Sequence, residues 1–101
     1  MKLLAIPNFG DRISPRIDYA ETLQLITVED KKILHKDTIK IIAHSNLERI
    51  NQIIRLNPNV VICDGISNLL HDKLIEHKIE IVPWVHGRVD DIVEKYLNGT
   101  I

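Results

Sequence analysis

The sequence predicts an α/β sandwich in which three helices flank a mixed β-sheet of about five strands. One observation is a βαβ unit: the apolar runs Val60–Cys63 and Ile79–Val82 enclose a segment in which Leu70 and Leu74 have helical spacing. Another is a stripe at positions i, i+3, i+4, i+7 and i+8, formed by Val89, Ile92, Val93, Tyr96 and Leu97. Strands joined by a helix in this way run parallel, with a right-handed crossover.

The N-terminal half reads as strands. Lys2–Ile6 is a short apolar run that ends at "PNFG", and Glu21–Glu29 alternates and is rich in β-branched residues. The letters "DKK" then predict a hairpin turn into a strand at Ile33–His35, and Thr38–Ala43 is a further β-branched run. Pro15 argues against a central strand in the segment between the first two runs.

Polar residues mark the beginnings of the predicted helices. Ser45 precedes Glu48 by three positions, which is the spacing of a capping box. The helical period that follows it is formed by Leu47, Ile50, Ile53 and Ile54. Ser67 is placed to cap the second helix, and Asp90 with Asp91 suits the positive end of the third helix.

Length and composition describe one globular domain over residues 1–101, with 45% hydrophobic and 27% charged residues. The formal charge of −1 argues against nucleic acid as a partner. A single cysteine cannot form an internal disulfide, and we find neither a signal peptide nor a membrane-spanning segment. We therefore expect a cytoplasmic protein that binds no membrane.

The predicted parallel strands place a site at one edge of the sheet. Ligands of open α/β sheets bind beyond the carboxyl ends of the strands, where "CDGIS" and "PWVHGRVDD" lie. The side chains expected to converge there are Cys63, Asp64, Ser67, Trp84, His86 and Arg88. Asn8 and Phe9 join them if the first strand is also parallel. Helix N-termini favour an anion, and a thiolate with an imidazole suits a soft metal or a cluster.

Each candidate ligand also has a structural interpretation. A cysteine that follows Val-Val-Ile is most often a small buried hydrophobe, and His86 before a glycine is often only a loop residue. No CxxC, HExxH, Walker, G-x-G-x-x-G or G-x-S-x-G motif is present, and a Cys63–His86 pair lacks a third, orienting group. We therefore expect a protein that is not an enzyme.

The C-terminal stretch "VVICDGISNLLHDKLIEHKIEIVPWVHGRVDDIVEKYLNG" resembles the dinitrogenase iron–molybdenum cofactor biosynthesis family. Gly65 and Ile66 match its glycine turn. The C-terminal motif is matched in register by Gly87, Val89, Val93, Tyr96, Leu97 and Gly99. The resemblance implies a ribonuclease H-like fold and a role as a nitrogen-fixation accessory protein that carries iron–sulfur or molybdenum clusters.

The opening, "MKLLAIPNFGDRISPRIDYAETLQLITVED", is similar to the start of the same family but departs from it at the site. The usual histidine falls on Arg16, the usual phenylalanine on Ile17 and the usual glycine on Asp18, while Ser14 and Ala20 remain. Arginine does not ordinarily ligate iron or molybdenum. It holds anions by charge-assisted hydrogen bonds.

The resemblance implies a non-catalytic carrier of an iron–sulfur or iron–molybdenum type cluster, which receives it from or delivers it to a partner protein. Cys63 and His86 are the expected metal ligands, and Arg16 with Arg88 balances the charge of the cluster. The remaining expected binding residues are Asn8, Asp64, Gly65, Ser67 and Gly87.

Two other functions stay open. The usual histidine is replaced, and two glycines of the G-G-I-G turn are replaced by Asp64 and Ser67. These departures favour a member without cofactor that acts as an interaction or regulatory module, with a homodimer as one form. Fold analogy alone suggests a metal-dependent nuclease that uses Asp11, Asp18 and Asp64. An inert, buried thiol at Cys63 is the observation that favours the interaction module.

Overall fold

The sheet of the computed structural model, which describes residues 1–101, contains six strands. They are β1 (Lys2–Phe9), β2 (Arg12–Ile13), β3 (Thr22–Glu29), β4 (Lys32–Lys40), β5 (Val60–Ile62) and β6 (Glu80–Val82). The helices are α1 (Asn46–Leu56), α2 (Asn68–Glu76) and α3 (Val89–Leu97), with a 3₁₀ turn at Ile17–Tyr19. The α/β prediction is confirmed. None of the helices combines the length and the apolar character needed to cross a membrane.

The strands lie in the order β4-β3-β1-β5-β6, with the short β2 beside β1. β1, β5 and β6 are parallel to one another, whereas β3 is antiparallel to both β1 and β4. The three parallel strands therefore end at the same edge, at Phe9, Ile62 and Val82, and we call this the carboxyl edge. The parallel β1 meets the condition under which Asn8 and Phe9 were expected to join the site.

Two apolar layers hold the sheet between the helices. Alternate residues of the central strands point to opposite faces, so Ala5 and Val61 pack on one side and their neighbours on the other. The layer below α1 and α2 contains Ala5, Ile17, Ala20, Leu23, Ile41, Ile50, Ile53, Val61, Cys63, Leu70, Leu74 and Ile79. The layer below α3 contains Leu4, Ile6, Ile13, Ile26, Val28, Val60, Ile62, Val89, Ile92 and Val93.

Side-chain caps begin two of the helices as the sequence predicts. The backbone N–H of Glu48 donates to Ser45 Oγ at 3.2 Å, and that of Leu70 donates to Ser67 Oγ at 3.3 Å. The Glu48 carboxylate accepts from the N–H of His44, one residue earlier than in a standard capping box. These bonds satisfy N–H groups that a helix leaves without partners.

The predicted hairpin forms, but its second strand is longer than expected. Asp30 and Lys31 have φ values of 51° and 63°. Positive φ at both central residues is typical of a two-residue hairpin turn. The runs Ile33–His35 and Thr38–Ala43 were expected to be separate, whereas a single β4 spans Lys32–Lys40. A bulge at Leu34 shifts the pairing with β3, and β4 accepts charged residues because it is an exposed edge strand.

Two predictions about burial are wrong, and the position of each segment in the fold explains why. The run at Ile79–Val82 was expected to be fully buried, but Glu80 is exposed and Ile81 and Val82 are only half-buried. This follows because β6 is the other edge strand of the sheet. Leu47 is exposed because it lies in the first turn of α1, at the rim of the apolar stripe.

Leu74 is buried and Leu47 is exposed, so truncation of the two side chains should have different effects on stability. Leu74→Ala removes a fully buried side chain and should lower the free energy of unfolding by about 2–5 kcal/mol. Leu47→Ala, the matched control on an exposed helix position, should change it by less than about 0.5 kcal/mol. Urea unfolding followed by circular dichroism measures both. Equal losses for the two variants would contradict the assignment of Leu47 to the surface.

Candidate functional site

The segment of residues 11–18 crosses the carboxyl edge and binds the loops that follow β5 and β6. The Ile13 N–H donates to the Gly87 carbonyl at 2.9 Å, and the Ile17 N–H donates to the Gly65 carbonyl at 3.0 Å. In return the Gly65 N–H donates to the Pro15 carbonyl at 2.9 Å. The segment therefore divides the edge into an α3 side, where Ile13 is buried, and an α2 side, where Ile17 is buried.

Both glycines that were predicted at the site are required by the backbone. A Cβ at Gly65 would lie 3.0 Å from the Pro15 carbonyl oxygen and 3.1 Å from Arg16 Cγ, so the crossing segment leaves no room for a side chain. Gly87 has a φ of 122°, which residues with a side chain rarely adopt. Their presence in the sequence therefore follows from the crossing of the edge.

Cys63 belongs to the core below α1 and α2. Its relative exposure is 0%, its N–H donates to the Val82 carbonyl at 3.0 Å, and its carbonyl accepts from Val85 at 3.0 Å. Burial raises the pKa of the thiol to about 12, and the negative charges of Asp18 and Asp64 act in the same direction. Metal ligation uses the thiolate, so this environment opposes ligation by Cys63.

His86 lies at the surface, with 81% of its side chain exposed. Its Nδ1 is 4.0 Å from a carboxylate oxygen of Asp64, which is itself partly buried. The structure contains no group of three or more histidine, cysteine or acidic side chains that are placed to hold a metal ion. The expected pairing of Cys63 with His86 is therefore not assembled as a chelating group, because one side chain points into the core and the other into solvent.

Asn8 and Ser67 are engaged by the protein itself. The Asn8 Oδ1 accepts from the Thr22 hydroxyl at 2.7 Å, and its Nδ2 donates to the Gly10 carbonyl at 2.9 Å. The Ser67 hydroxyl caps α2. These side chains close the turn after β1 and begin a helix, so both help to shape the edge.

The carboxylate of Asp18 lies against the N-terminus of α2. It is 7% exposed, and it accepts the Ser67 N–H at 3.2 Å on one oxygen and 3.0 Å on the other. The Arg16 Nη2 donates to it at 3.2 Å. An internal anion therefore already occupies the positive end of this helix.

Arg49 of α1 fixes the other side of the 3₁₀ turn. Its Nη1 donates to the Ala20 carbonyl and, at 3.4 Å, to the Ile17 carbonyl. Burial lowers the pKa of Arg49, and the negative charge of Asp18 opposes that effect. Sequence reasoning missed the roles of Arg49 and Asp18; the one signal was an aspartate in place of a glycine.

Aromatic side chains are concentrated at the carboxyl edge. Phe9, Tyr19 and Trp84 are 81%, 76% and 69% exposed, and they are three of the four aromatic residues of the chain. Trp84 has a φ of 63°, and its N–H donates to the Asp64 carbonyl at 3.0 Å. The sequence placed Phe9 and Trp84 at this edge but did not single out Tyr19, which reaches it through the 3₁₀ turn.

The fold and the edge together define a small α/β protein with an open, charged and aromatic surface beyond its parallel strands. The chain belongs to the family described as dinitrogenase iron-molybdenum cofactor, whose model matches residues 1–99. The resemblance seen in the sequence is thereby confirmed. Its assignment to the ribonuclease H-like folds stays a prediction. No curated protein matches the sequence.

Solved structures share the fold at low sequence identity. The protein PH0822 is 18% identical, with a TM-score of 0.91 over 96% of this chain and 89% of that one. A protein of Methanocaldococcus jannaschii is 22% identical, with a TM-score of 0.83 over 99% and 92% of the two chains. The apo form of the orange protein from Desulfovibrio gigas is 14% identical, with a TM-score of 0.82 over 99% and 90%.

The environment of Cys63 predicts an inert thiol and a loss of stability in alkali. The thiol should react with Ellman's reagent only on unfolding. Its pKa in the folded chain, about 12, lies above the ordinary value of 9.0. Between these values only the unfolded chain loses the proton, so the free energy of unfolding falls as pH rises, by up to about 1.4 kcal/mol per pH unit. Cys63→Ala should lack this pH-dependent loss of unfolding free energy. Fast reaction of the folded protein with Ellman's reagent would contradict the burial of the thiol.

The contacts of Asp18 predict a large effect of its removal. Asp18→Ala leaves the Ser67 N–H and the Arg16 guanidinium without their acceptor and should cost about 3 kcal/mol of unfolding free energy. Asp11→Ala is the matched control, because Asp11 is an exposed partner of Arg88 at 3.5 Å and should cost less than about 1 kcal/mol. Thermal and urea unfolding measure both. If Asp18→Ala left the free energy of unfolding unchanged, the edge would not depend on this carboxylate.

Proposed function

We propose that the chain is a non-catalytic binding protein that holds an anionic metal cluster, of the iron–sulfur or molybdenum-containing type, and passes it to an acceptor protein. The observation that carries this proposal is the family match over residues 1–99. The cluster is cargo, so the binding site needs contacts that form and break easily. Exposed side chains on an open edge suit such a role better than a closed chelating group.

We assign the first contact to His86. It is the most exposed candidate ligand, and a single imidazole gives a bond weak enough for later transfer. Arg16 and Arg88, each about half exposed, supply charge-assisted hydrogen bonds to an anionic cargo. Asp64 lies beside the imidazole, with a carboxylate oxygen 4.0 Å from Nδ1.

Ligation by Cys63 would require a change in the protein. The thiol is buried below α1 and α2, and its backbone is held by Val82 and Val85 on both sides. We therefore propose that Cys63 is a core residue in the cargo-free protein and becomes a ligand only if the loop of residues 63–67 opens. Uptake by exposed groups alone does not need that opening.

The second candidate function is a member without cofactor that acts as an interaction module. The specific observation in its favour is the Asp18 carboxylate, which takes the place of an anionic ligand at the N-terminus of α2. The buried thiol of Cys63 favours the same function. A homodimer is one form that such a module can take.

Metal and sulfide analysis with a visible spectrum, on protein prepared without oxygen, separates the two functions. We expect stoichiometric, coloured protein after cluster reconstitution, loss of the colour in His86→Ala, and no loss in His35→Ala, an equally simple change at an exposed histidine on β4. If Cys63→Ala keeps the colour after reconstitution, cluster uptake is assigned to the exposed groups. If Cys63→Ala loses the colour, Cys63 is a ligand. Protein that stays colourless and metal-free after reconstitution overturns the carrier and leaves the interaction module.

A further inference from the structure

Arg12 and Arg88 lie directly opposite each other at the carboxyl edge. They form an isolated antiparallel bridge between the segment that crosses the edge and the loop that precedes α3. Two backbone hydrogen bonds of 2.9 Å flank the pair, one on each side, and connect the residues next to it. The two arginines are therefore a non-hydrogen-bonded pair, in which the opposite side chains lie on the same face and are closest together.

The two positive charges of this pair share one carboxylate. The Nη2 of Arg88 lies 3.5 Å from a carboxylate oxygen of Asp11, and both side chains are more than half exposed. The guanidinium of Arg12 is exposed and has no ion-pair partner in the protein. Asp90, which lines a small hollow together with Asp11, is already bound by Lys36 at 3.1 Å. Like charges directly opposite each other on neighbouring strands are destabilising, and a bound anion would neutralise them.

Arg12 differs in this respect from the other arginine of the crossing segment. Arg16 donates to the buried carboxylate of Asp18 at 3.2 Å, so its charge is neutralised within the protein. The other neighbour of Arg12 is Phe9, its partner in the pairing of β1 with β2, which supplies no charge. Of the arginines at this edge, Arg12 is therefore the one without a carboxylate partner, and its five N–H donors are available to an anion.

We propose that Arg12 and Arg88 together hold the anionic cargo, and that Asp11 is the internal counter-ion that competes with the cargo for Arg88. This inference rests on the proposed function, to which it adds a binding residue and a means of release. It places the cargo on the α3 side of the edge, next to the loop that carries His86. Two guanidinium groups on one face bind an anion through charge-assisted hydrogen bonds, and the competing carboxylate keeps that binding reversible.

A simple divalent anion tests the arginine pair on cluster-free protein. Sodium molybdate is titrated into ¹⁵N-labelled protein, with sodium chloride at the same ionic strength as the control, and the backbone N–H and arginine Nε–H signals are followed by NMR. We expect molybdate to shift the signals of Arg12 and Arg88. Arg12→Gln should weaken molybdate binding at least about threefold, whereas Arg55→Gln, at an exposed arginine of α1, should leave it unchanged.

Removal of the counter-ion should have the opposite effect. Asp11→Asn deletes the negative charge beside Arg88, so we expect molybdate to bind about two- to threefold more tightly. Asp72→Asn is the matched control, because Asp72 is a similarly exposed aspartate on α2, and it should not change the affinity. A merely structural role of the bridge would not produce tighter binding. The signal shifts of the unchanged protein locate the site even if a variant fails to fold.

Three results of the titration overturn the proposal. These are shifts of the Arg12 and Arg88 signals no larger than those with chloride, unchanged affinity in Arg12→Gln, and weaker binding in Asp11→Asn.

Cluster reconstitution of the same variants separates this inference from the proposed function. We expect Arg12→Gln to lose its cluster at a lower salt concentration than the unchanged protein does. If the two proteins keep the cluster equally well, the carrier stands and its cargo is not held by Arg12. If molybdate binds as expected but no protein takes up a cluster, the arginine pair is an anion site and the proposed cargo is wrong.

Discussion

The carboxylate of Asp18 accepts the backbone N–H of Ser67 with both oxygens, and the arrangement of the carboxyl edge depends on this contact. It attaches the 3₁₀ turn to the beginning of α2, while Arg49 attaches the same turn to α1. A buried carboxylate is stable there because the helix end, the positive charges of Arg16 and Arg49 and the hydrogen bonds from Ser67 and Arg16 compensate for its lost hydration. With the turn fixed, the segment before it is drawn across the ends of the parallel strands.

That crossing segment explains why the edge brings some residues together and keeps others apart. Backbone hydrogen bonds to Gly65 and Gly87 hold it across the sheet, and it sets the α2 side apart from the α3 side. His86 remains in solvent, and Cys63 remains below the helices. Arg16, which lies within the segment, is placed between the Tyr19 ring and Gly65. One short stretch of chain thus determines which side chains a ligand or a partner can reach.

The elements of the fold were predictable because their signals are local. Apolar periodicity located the βαβ unit and α3, and single serines located the caps of α1 and α2. The edge strands were less predictable, since β4 is defined by its partner β3 and by a bulge at Leu34. For the candidate site, the sequence predicted which residues lie at the carboxyl edge. It did not predict which of their side chains are buried and which are exposed. The alternation that points Cys63 and Val61 to the same face was visible in the sequence, whereas the Asp18 contact joins residues 49 positions apart.

The exposed strand β4 has a consequence for how copies of the protein meet. An edge strand of nine residues offers unpaired backbone groups along which a sheet can extend into a neighbouring molecule. Lys32, Lys36 and Lys40 are spaced along it, and the bulge at Leu34 interrupts its regularity. Antiparallel pairing of two such strands would set lysine near lysine and lose hydrogen bonds at the bulge. The hairpin therefore disfavours the growth of continuous sheets from one molecule to the next at high concentration.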